Sequence, residues 1–266
     1  MSGSQGFQAA RTWQRFTPAQ RLARFAVYLA LVIAIVASAR TVEVIPEFLY
    51  DAPEQMQDLL ARMWPIAFHH YPQGVHDALM DTLHIASIGT ILAVIMALPI
   101  GLLAANNVTP NKIVNYFAKL LLVSSRSVNS LVWALLFVAV FGPGALAGTL
   151  AIAFRSIGFV GEALEEANRG PIEALQAAGA PRFSVLAKAY WPQVEPAFWS
   201  VVLFRWDINV RESAVLGLVG AGGIGMALDN ALNLFQWDRV AMVLFAIFTV
   251  VIVAEIAVTY IRKRLI

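Results

Sequence analysis

Three charges fall within seven residues of one apolar stretch: Arg205, Asp207 and Arg211, with the polar Asn209 between them. A further charge, Arg155, stands inside another apolar stretch. Charge is costly in such surroundings unless it is paired or meets water. On a helix, Asp207 and Arg211 lie four apart and can pair, as can Arg205 and Asn209. Arg205 and Asp207 lie two apart and do not share a face. The chemistry open to this set is recognition rather than bond making. A guanidinium fork matches the oxygens of a tetrahedral oxyanion, so these arginines could line an electropositive route for an anion. The other reading is that they tie neighbouring helices together.

A glycine-rich run follows, with Gly217, Gly220, Gly222, Gly223 and Gly225. In a nucleotide enzyme such glycines follow a strand and cradle phosphate. Here no α/β pattern flanks them, and no Walker lysine follows Gly225. Two readings remain: close packing of backbones between helices, or a broken helix beside a polar pathway. Gly220, Gly222, Gly223 and Gly225 therefore join Arg205, Asp207, Asn209 and Arg211 as candidate pathway residues. His69, His70, His76 and His84 lie close in sequence, but the adjacent pair does not share a helix face. They read as membrane-boundary side chains, not metal ligands. Cysteine is absent, which removes thiol catalysis and any disulfide framework. No convergent acid–base cluster stands out, so no catalytic residue and no metal are expected.

These residues need membrane helices to hold them. Of 266 residues, 59% are hydrophobic and only 14% charged, against about 25% charged in soluble proteins. Mean hydropathy is +0.68. A spanning helix needs about 20 mainly apolar residues. Six segments qualify: roughly Leu22–Ala39, Leu83–Ala105, Val128–Val140 extended backwards by Phe117–Ser125, Ala145–Leu164, Val194–Val210 and Val240–Ile261. The first is read as retained, because Arg40, Thr41, Val42 and Glu43 make a poor cleavage site. Ala214–Leu228 is too short to span and fits a re-entrant or broken segment. The expected fold is an all-α polytopic membrane protein of about six spans. Residues 1–75 hold a tail, the first span and a loop with a stretch at Asp58–Trp64 of amphipathic character. Residues 76–266 hold a five-helix core.

The charges orient it. The N-terminal tail carries Arg11, Arg15, Arg21 and Arg24, and the C-terminus ends in Arg262, Lys263 and Arg264. The 40–81 segment is acidic, with Glu43, Glu47, Asp51, Glu54, Asp58, Asp77 and Asp81. The positive-inside bias then puts both termini and the 165–192 link in the cytoplasm, and the acidic loop outside. Trp13, Trp64, Trp191 and Trp237 sit near span ends, as interfacial anchors would. A net charge of +2 gives no reason to expect a nucleic-acid partner; membrane lipid is the surrounding phase.

The cytoplasmic link has its own pattern. Pro171 can open a helix, which places Glu173 in its first turn, where a carboxylate is favoured. Gly179 and Pro181 interrupt that helix, and a second short one can run over Arg182–Tyr190 until Pro192 stops it. A left-handed backbone is expected at Gly179. An alanine-rich helix lying on the membrane face suits a partner's groove; a merely structured loop is the plainer reading.

Glu173-Ala174-Leu175, three residues, Gly179, and Pro192 thirteen positions on resemble the EAA loop of ABC importer permeases. That loop usually reads Glu-Ala-Ala, three residues, Gly, nine residues, Ile-x-Leu-Pro. Here Leu175 replaces the second alanine, and Ala189 and Trp191 replace Ile and Leu. Ala177–Pro181, Tyr190–Gln193, Phe204–Gly225 and Arg126–Phe137 are similar to stretches of phosphonate and phosphite importer permeases. Asn129 stands where that family usually has proline, which bears on the local helix start. The resemblance runs from about Asp77 to Arg264.

It implies a type I permease-like core that is not an enzyme and binds no cofactor of its own. ATP and Mg belong to a cytoplasmic ABC ATPase dimer, coupled through Glu173, Ala174, Leu175, Gly179 and Pro192. It also implies a periplasmic or lipoprotein substrate-binding protein and a second, identical permease copy making a dimer in the inner membrane. The expected cargo is phosphonate or a related oxyanion such as phosphite or hypophosphite. The other classes are an ion-coupled secondary carrier or a membrane-embedded enzyme for a small anion. A carrier would often show two similar halves, and an enzyme a convergent cluster; neither pattern is visible.

Overall fold

The computed structural model describes residues 16–42, 46–105, 109, 111–162 and 167–265, and every element among them is helical. The chain divides into two units, Met1–Asp58 and Leu59–Ile266. In the first, α1 (Pro18–Thr41) opens on a capping box: Thr17 accepts from the Gln20 amide and Gln20 returns the bond. Its 24 residues reach about 36 Å, enough to cross a bilayer. α2 (Pro46–Arg62) follows, so the acidic segment expected as a loop is largely helical. Arg11, Arg15, Trp13 and Glu43 lie outside the described residues.

The second unit carries the core. α3 (His76–Ala104) packs most extensively on α6 (Ala145–Glu162). Small residues allow that approach: a Cβ on Gly89 would sit 2.8 Å from Ile152 Cγ2 of α6, and one on Gly148 of α6 would sit 3.4 Å from Ile85 Cγ2 of α3. α9 (Trp191–Leu216) lies against both α3 and α6, and α11 (Trp237–Leu265) lies against α9. Among the described residues, five helices are long and apolar enough to cross a membrane, or six if one bent pair counts as a span. The fourth span expected over Ala145–Leu164 is α6, with 163–164 outside the described residues.

The bent pair corrects the third expected span. α4 (Lys112–Ser127) and α5 (Ser130–Phe141) meet at 96° rather than forming one rod. The polar run Ser124–Ser130 supplies the break. Asn129 does the capping work that the missing proline left in question: its side chain accepts from the Leu131 amide, a standard way to start a helix.

The link differs in two details. α7 (Arg169–Ala177) is capped by Asn168, whose side chain accepts from the Gly170 amide. Pro171 is thus the third helical residue, not the opening one, and Glu173 lies beyond the first turn. Pro192 does not stop a helix either. α8 (Arg182–Val185), a π turn at Leu186–Tyr190 and α9 run without a break, and Pro192 sits inside that run just past the π turn, where the Trp191 amide bonds to Leu186 O. After α9, a 3-10 turn at Gly217–Val219 and a bend lead into α10 (Ile224–Asn233). The glycine run is therefore a broken segment, as its length predicts.

Candidate functional site

Two polar groupings sit on different faces of α9. On one, Arg205 is buried and Nη2 donates to Asn209 Oδ1 at 2.9 Å and to Ser156 Oγ at 3.2 Å. Asn209 Nδ2 donates onward to Thr90 Oγ1 at 2.8 Å. The guanidinium also lies 4.5 Å from the centre of the Phe159 ring, a cation–π distance. Arg205 and Asn209 thus tie α9 to α3 and α6. On the other face, Arg211 Nη2 donates to Asp207 Oδ2 at 2.7 Å and lies 3.4 Å from Glu255 Oε2 of α11. The two pairs expected from the four-residue spacing both form, but they do not meet each other.

Glu212 completes the first grouping and was not singled out in the sequence. Its Oε1 lies 3.4 Å from Arg155 Nε and 3.9 Å from Arg205 Nη2. One carboxylate therefore serves two arginines, leaving a net positive charge in the set. The signal was present: Arg205, Asn209 and Glu212 stand at i, i+4 and i+7, one helical stripe. Arg155 Nη1 also reaches Ser130 Oγ, at 3.5 Å, at the start of α5.

The glycines serve close packing at one end of this bundle. Gly220, Gly222 and Gly223 have positive φ of 83°, 85° and 75°. A Cβ on Gly223 would sit 2.6 Å from Thr82 Oγ1, and one on Gly222 would sit 2.7 Å from the Ala145 amide nitrogen. Thr82 Oγ1 accepts from the Ile224 amide at 2.7 Å, pinning the start of α10 to α3. Gly225 is buried against Gly217. Gly222 and Gly223 also border an open cleft of about 430 Å³, lined besides by Asp77, Asp81, Asn230 and Arg239.

At the other end, α7 is anchored by Ile172, which joins a buried cluster with Tyr190, Val194 and Phe198. Glu173, Ala174, Gly179 and Pro192 are exposed, and Leu175 is half-buried. Gly179 has φ of 79°. Its amide donates to Gln176 O and the Ala180 amide to Leu175 O, at 3.0 and 3.1 Å. These two bonds form a Schellman motif. Gln193 then clamps the two ends of the link. Its Oε1 accepts from the Asn168 amide at 3.1 Å, and its Nε2 donates to Ala189 O. Neither Asn168 nor Gln193 was assigned a role from sequence.

His69 and His70 keep their rings 4.1 Å apart, but the histidines do not gather as a set. His76 Nδ1 is 3.1 Å from Tyr71 Oη, and His70 Nε2 is 4.0 Å from Asp238. Among the described residues no group of three or more acidic or histidine side chains could hold a metal ion.

Comparison with known proteins adds family to geometry. Residues 97–266 match the family described as binding-protein-dependent transport system inner membrane component. The chain is 41% identical over 210 residues to the phosphite transport system permease protein PtxC of Stutzerimonas stutzeri, across 77% of this chain and 76% of that protein. It is 37% identical over 216 residues to the putative phosphite transport system permease protein HtxC of the same organism, across 77% and 75% of the two chains. Among solved structures, a chain of the inward-facing MetNI methionine ABC transporter matches at 22% identity with a TM-score of 0.61, covering 72% of this chain and 96% of that one. That likeness shows the fold.

Proposed function

The chain belongs to the binding-protein-dependent transport system inner membrane component family, and from that membership we propose that it is the permease subunit of an ATP-driven importer for phosphonate or a related phosphorus oxyanion such as phosphite or hypophosphite. The observation that carries the cargo is the 41% identity to a phosphite permease. The work of such a subunit is alternating access, not covalent catalysis. A cytoplasmic ATPase dimer supplies hydrolysis, a substrate-binding protein delivers cargo at the other face, and a second, identical copy of this chain completes the pathway within the 76–266 cores.

We assign ATPase coupling to the helix and turn that carry Glu173, Ala174, Leu175 and Gly179, together with Pro192 at the far end of the link. Support comes from an exposed face of small residues around Glu173, held on a buried Ile172. The charges of α9 and the glycines at 220–225 are proposed to flank the pathway. Gly222 and Gly223 support this by bordering a cleft; the bonds of Arg205 favour a tie between helices at that residue. The test is to assemble the chain with its ATPase and binding protein in sealed vesicles and measure uptake of phosphite, hypophosphite and a simple phosphonate. ATP-dependent uptake of at least one of them is expected. An assembled, hydrolysing complex that carries none of the three would overturn the cargo.

A further inference from the structure

Resting on the importer reading, we infer that Arg155, the Ser130 hydroxyl at the start of α5 and the indole N–H of Trp133 form a mid-membrane resting site for a tetrahedral oxyanion. Glu212 fills that site while it is empty of cargo.

Depth comes first. α5 has 12 residues, so its start lies about 17 Å below the turn at its far end. Arg155 is ten residues into α6, which begins at the other side of that same turn, so it lies about 15 Å down. The 96° break between α4 and α5 therefore leaves a helix N-terminus inside the membrane, beside an arginine. A half-helix start of this kind carries a positive dipole end, favourable to an anion. The two features are in reach of each other, as the 3.5 Å separation of Arg155 Nη1 and Ser130 Oγ shows.

Unused bonding capacity comes second. Asn129 already caps the first amides of α5, its side chain taking Leu131 and its carbonyl Val132, so the donors left for a ligand are side chains; the Ser130 hydroxyl, which donates to Asn129 Oδ1 at 3.3 Å, would turn from that neutral acceptor to the anion. Trp133 shares the Ser130 face of α5, one turn along, and its Nε1 is buried with no hydrogen-bond partner. Such a donor is costly unless something uses it.

The third point is the nature of the counterion. Glu212 Oε2 is also buried without a partner, while Oε1 alone faces both arginines. The carboxylate is poorly satisfied and therefore exchangeable. Arg205 is held from behind by Asn209 and Ser156, with 3% of its side chain exposed; Arg155 exposes 21% and Glu212 17%. Arg155 is thus the arginine that can present its fork to a mobile oxyanion. Glu212 returning to it would release the cargo, which matters because a site that holds too tightly stops transport.

The test uses the purified complex of this chain with its ATPase, without binding protein or ATP, and inorganic phosphite as probe. Glu212→Gln should bind phosphite about tenfold more tightly than wild type, by removing the competing charge, and should transport more slowly at saturation. Trp133→Phe keeps the ring among Phe137 and Phe154 and loses only the N–H; it should weaken phosphite binding severalfold without lowering the melting temperature. Arg155→Lys should weaken it further. Should Glu212→Gln fail to assemble, Trp133→Phe decides. Unchanged phosphite binding in assembled Trp133→Phe and Arg155→Lys overturns the site. Wild-type complex that transports phosphite while both variants match it sinks this inference alone; wild-type complex that carries no phosphorus oxyanion sinks the importer reading first.

Discussion

Asn209 has no exposed surface, yet it holds three polar neighbours: Arg205, Ser156 and Thr90. Asn209→Ala would strip Arg205 of its shortest hydrogen bond deep in the bundle and leave Thr90 with only its bond to Ala86 O. The expected loss is about 3 kcal/mol, since an unsatisfied buried partner of a charged group costs at the upper end of the range. A clear fall in the melting temperature of the detergent-purified complex should report it; an unchanged melting curve would mean the network adds nothing. Gly223→Ala puts a side chain at φ of 75° and within 2.6 Å of Thr82 Oγ1. With ψ of −167° that backbone lies in a region kept almost wholly for glycine, so the variant should lose about 1–3 kcal/mol from backbone conformation alone, seen as less assembled protein, whereas wild-type yield would count against the packing account. At this scale the sequence was legible where partners share a helix. The Asp207–Arg211 and Arg205–Asn209 pairs follow from spacing. The Arg155–Glu212 pair joins residues of two different helices, and no local rule finds it.

The link helix α7 shows what pattern reading reaches for an element. The turn at Gly179, its left-handed backbone and the placement of the helix were readable from Gly and Pro signals. The true cap, Asn168, was not, because Pro171 offers an equally good start two residues inside. This shift changes the reason for a test. Glu173 is past the first turn, so Glu173→Lys should hardly disturb the helix itself and should act on the partner surface. Its expected signature is normal insertion and assembly with a several-fold drop in coupled ATP hydrolysis; full coupling in this variant would remove Glu173 from the contact. Gly179→Val should break the Schellman turn, whereas Gly179→Asn should retain most activity, because asparagine tolerates the left-handed region. Equal loss in both would point to a requirement for bare backbone at the partner instead. The α4–α5 break was also written in the chain, as the polar run Ser124–Ser130. It was hidden by hydropathy on both sides, which averages a bend into a span.

For the whole molecule, the bilayer imposes helices of span length, so apolar runs located nearly every long helix of the chain. Packing between them depends on small residues and buried polar groups, whose partners only the folded chain reveals. Sidedness remains a charge argument, and it yields a direct expectation. A single cysteine placed at Gln176 should react with an impermeant thiol reagent only from the cytoplasmic side of sealed membranes, and one at Asp51 only from outside. Labelling of position 176 from the outer face would reverse the orientation. The unbroken run from α8 through α9 has a mechanical consequence. Gln193, near the start of α9, fastens that helix to Asn168, the cap of α7, and Glu212 rides 19 residues further along it, past Pro196, about 29 Å away. A helix of that length behaves as a lever arm: a tilt of about 5° at the clamped end sweeps the far carboxylate by roughly 2.5 Å. That sweep is comparable to the 3.4 Å separating Glu212 from Arg155, so a small nudge at the clamped end would be enough to make or part that one contact far along the helix.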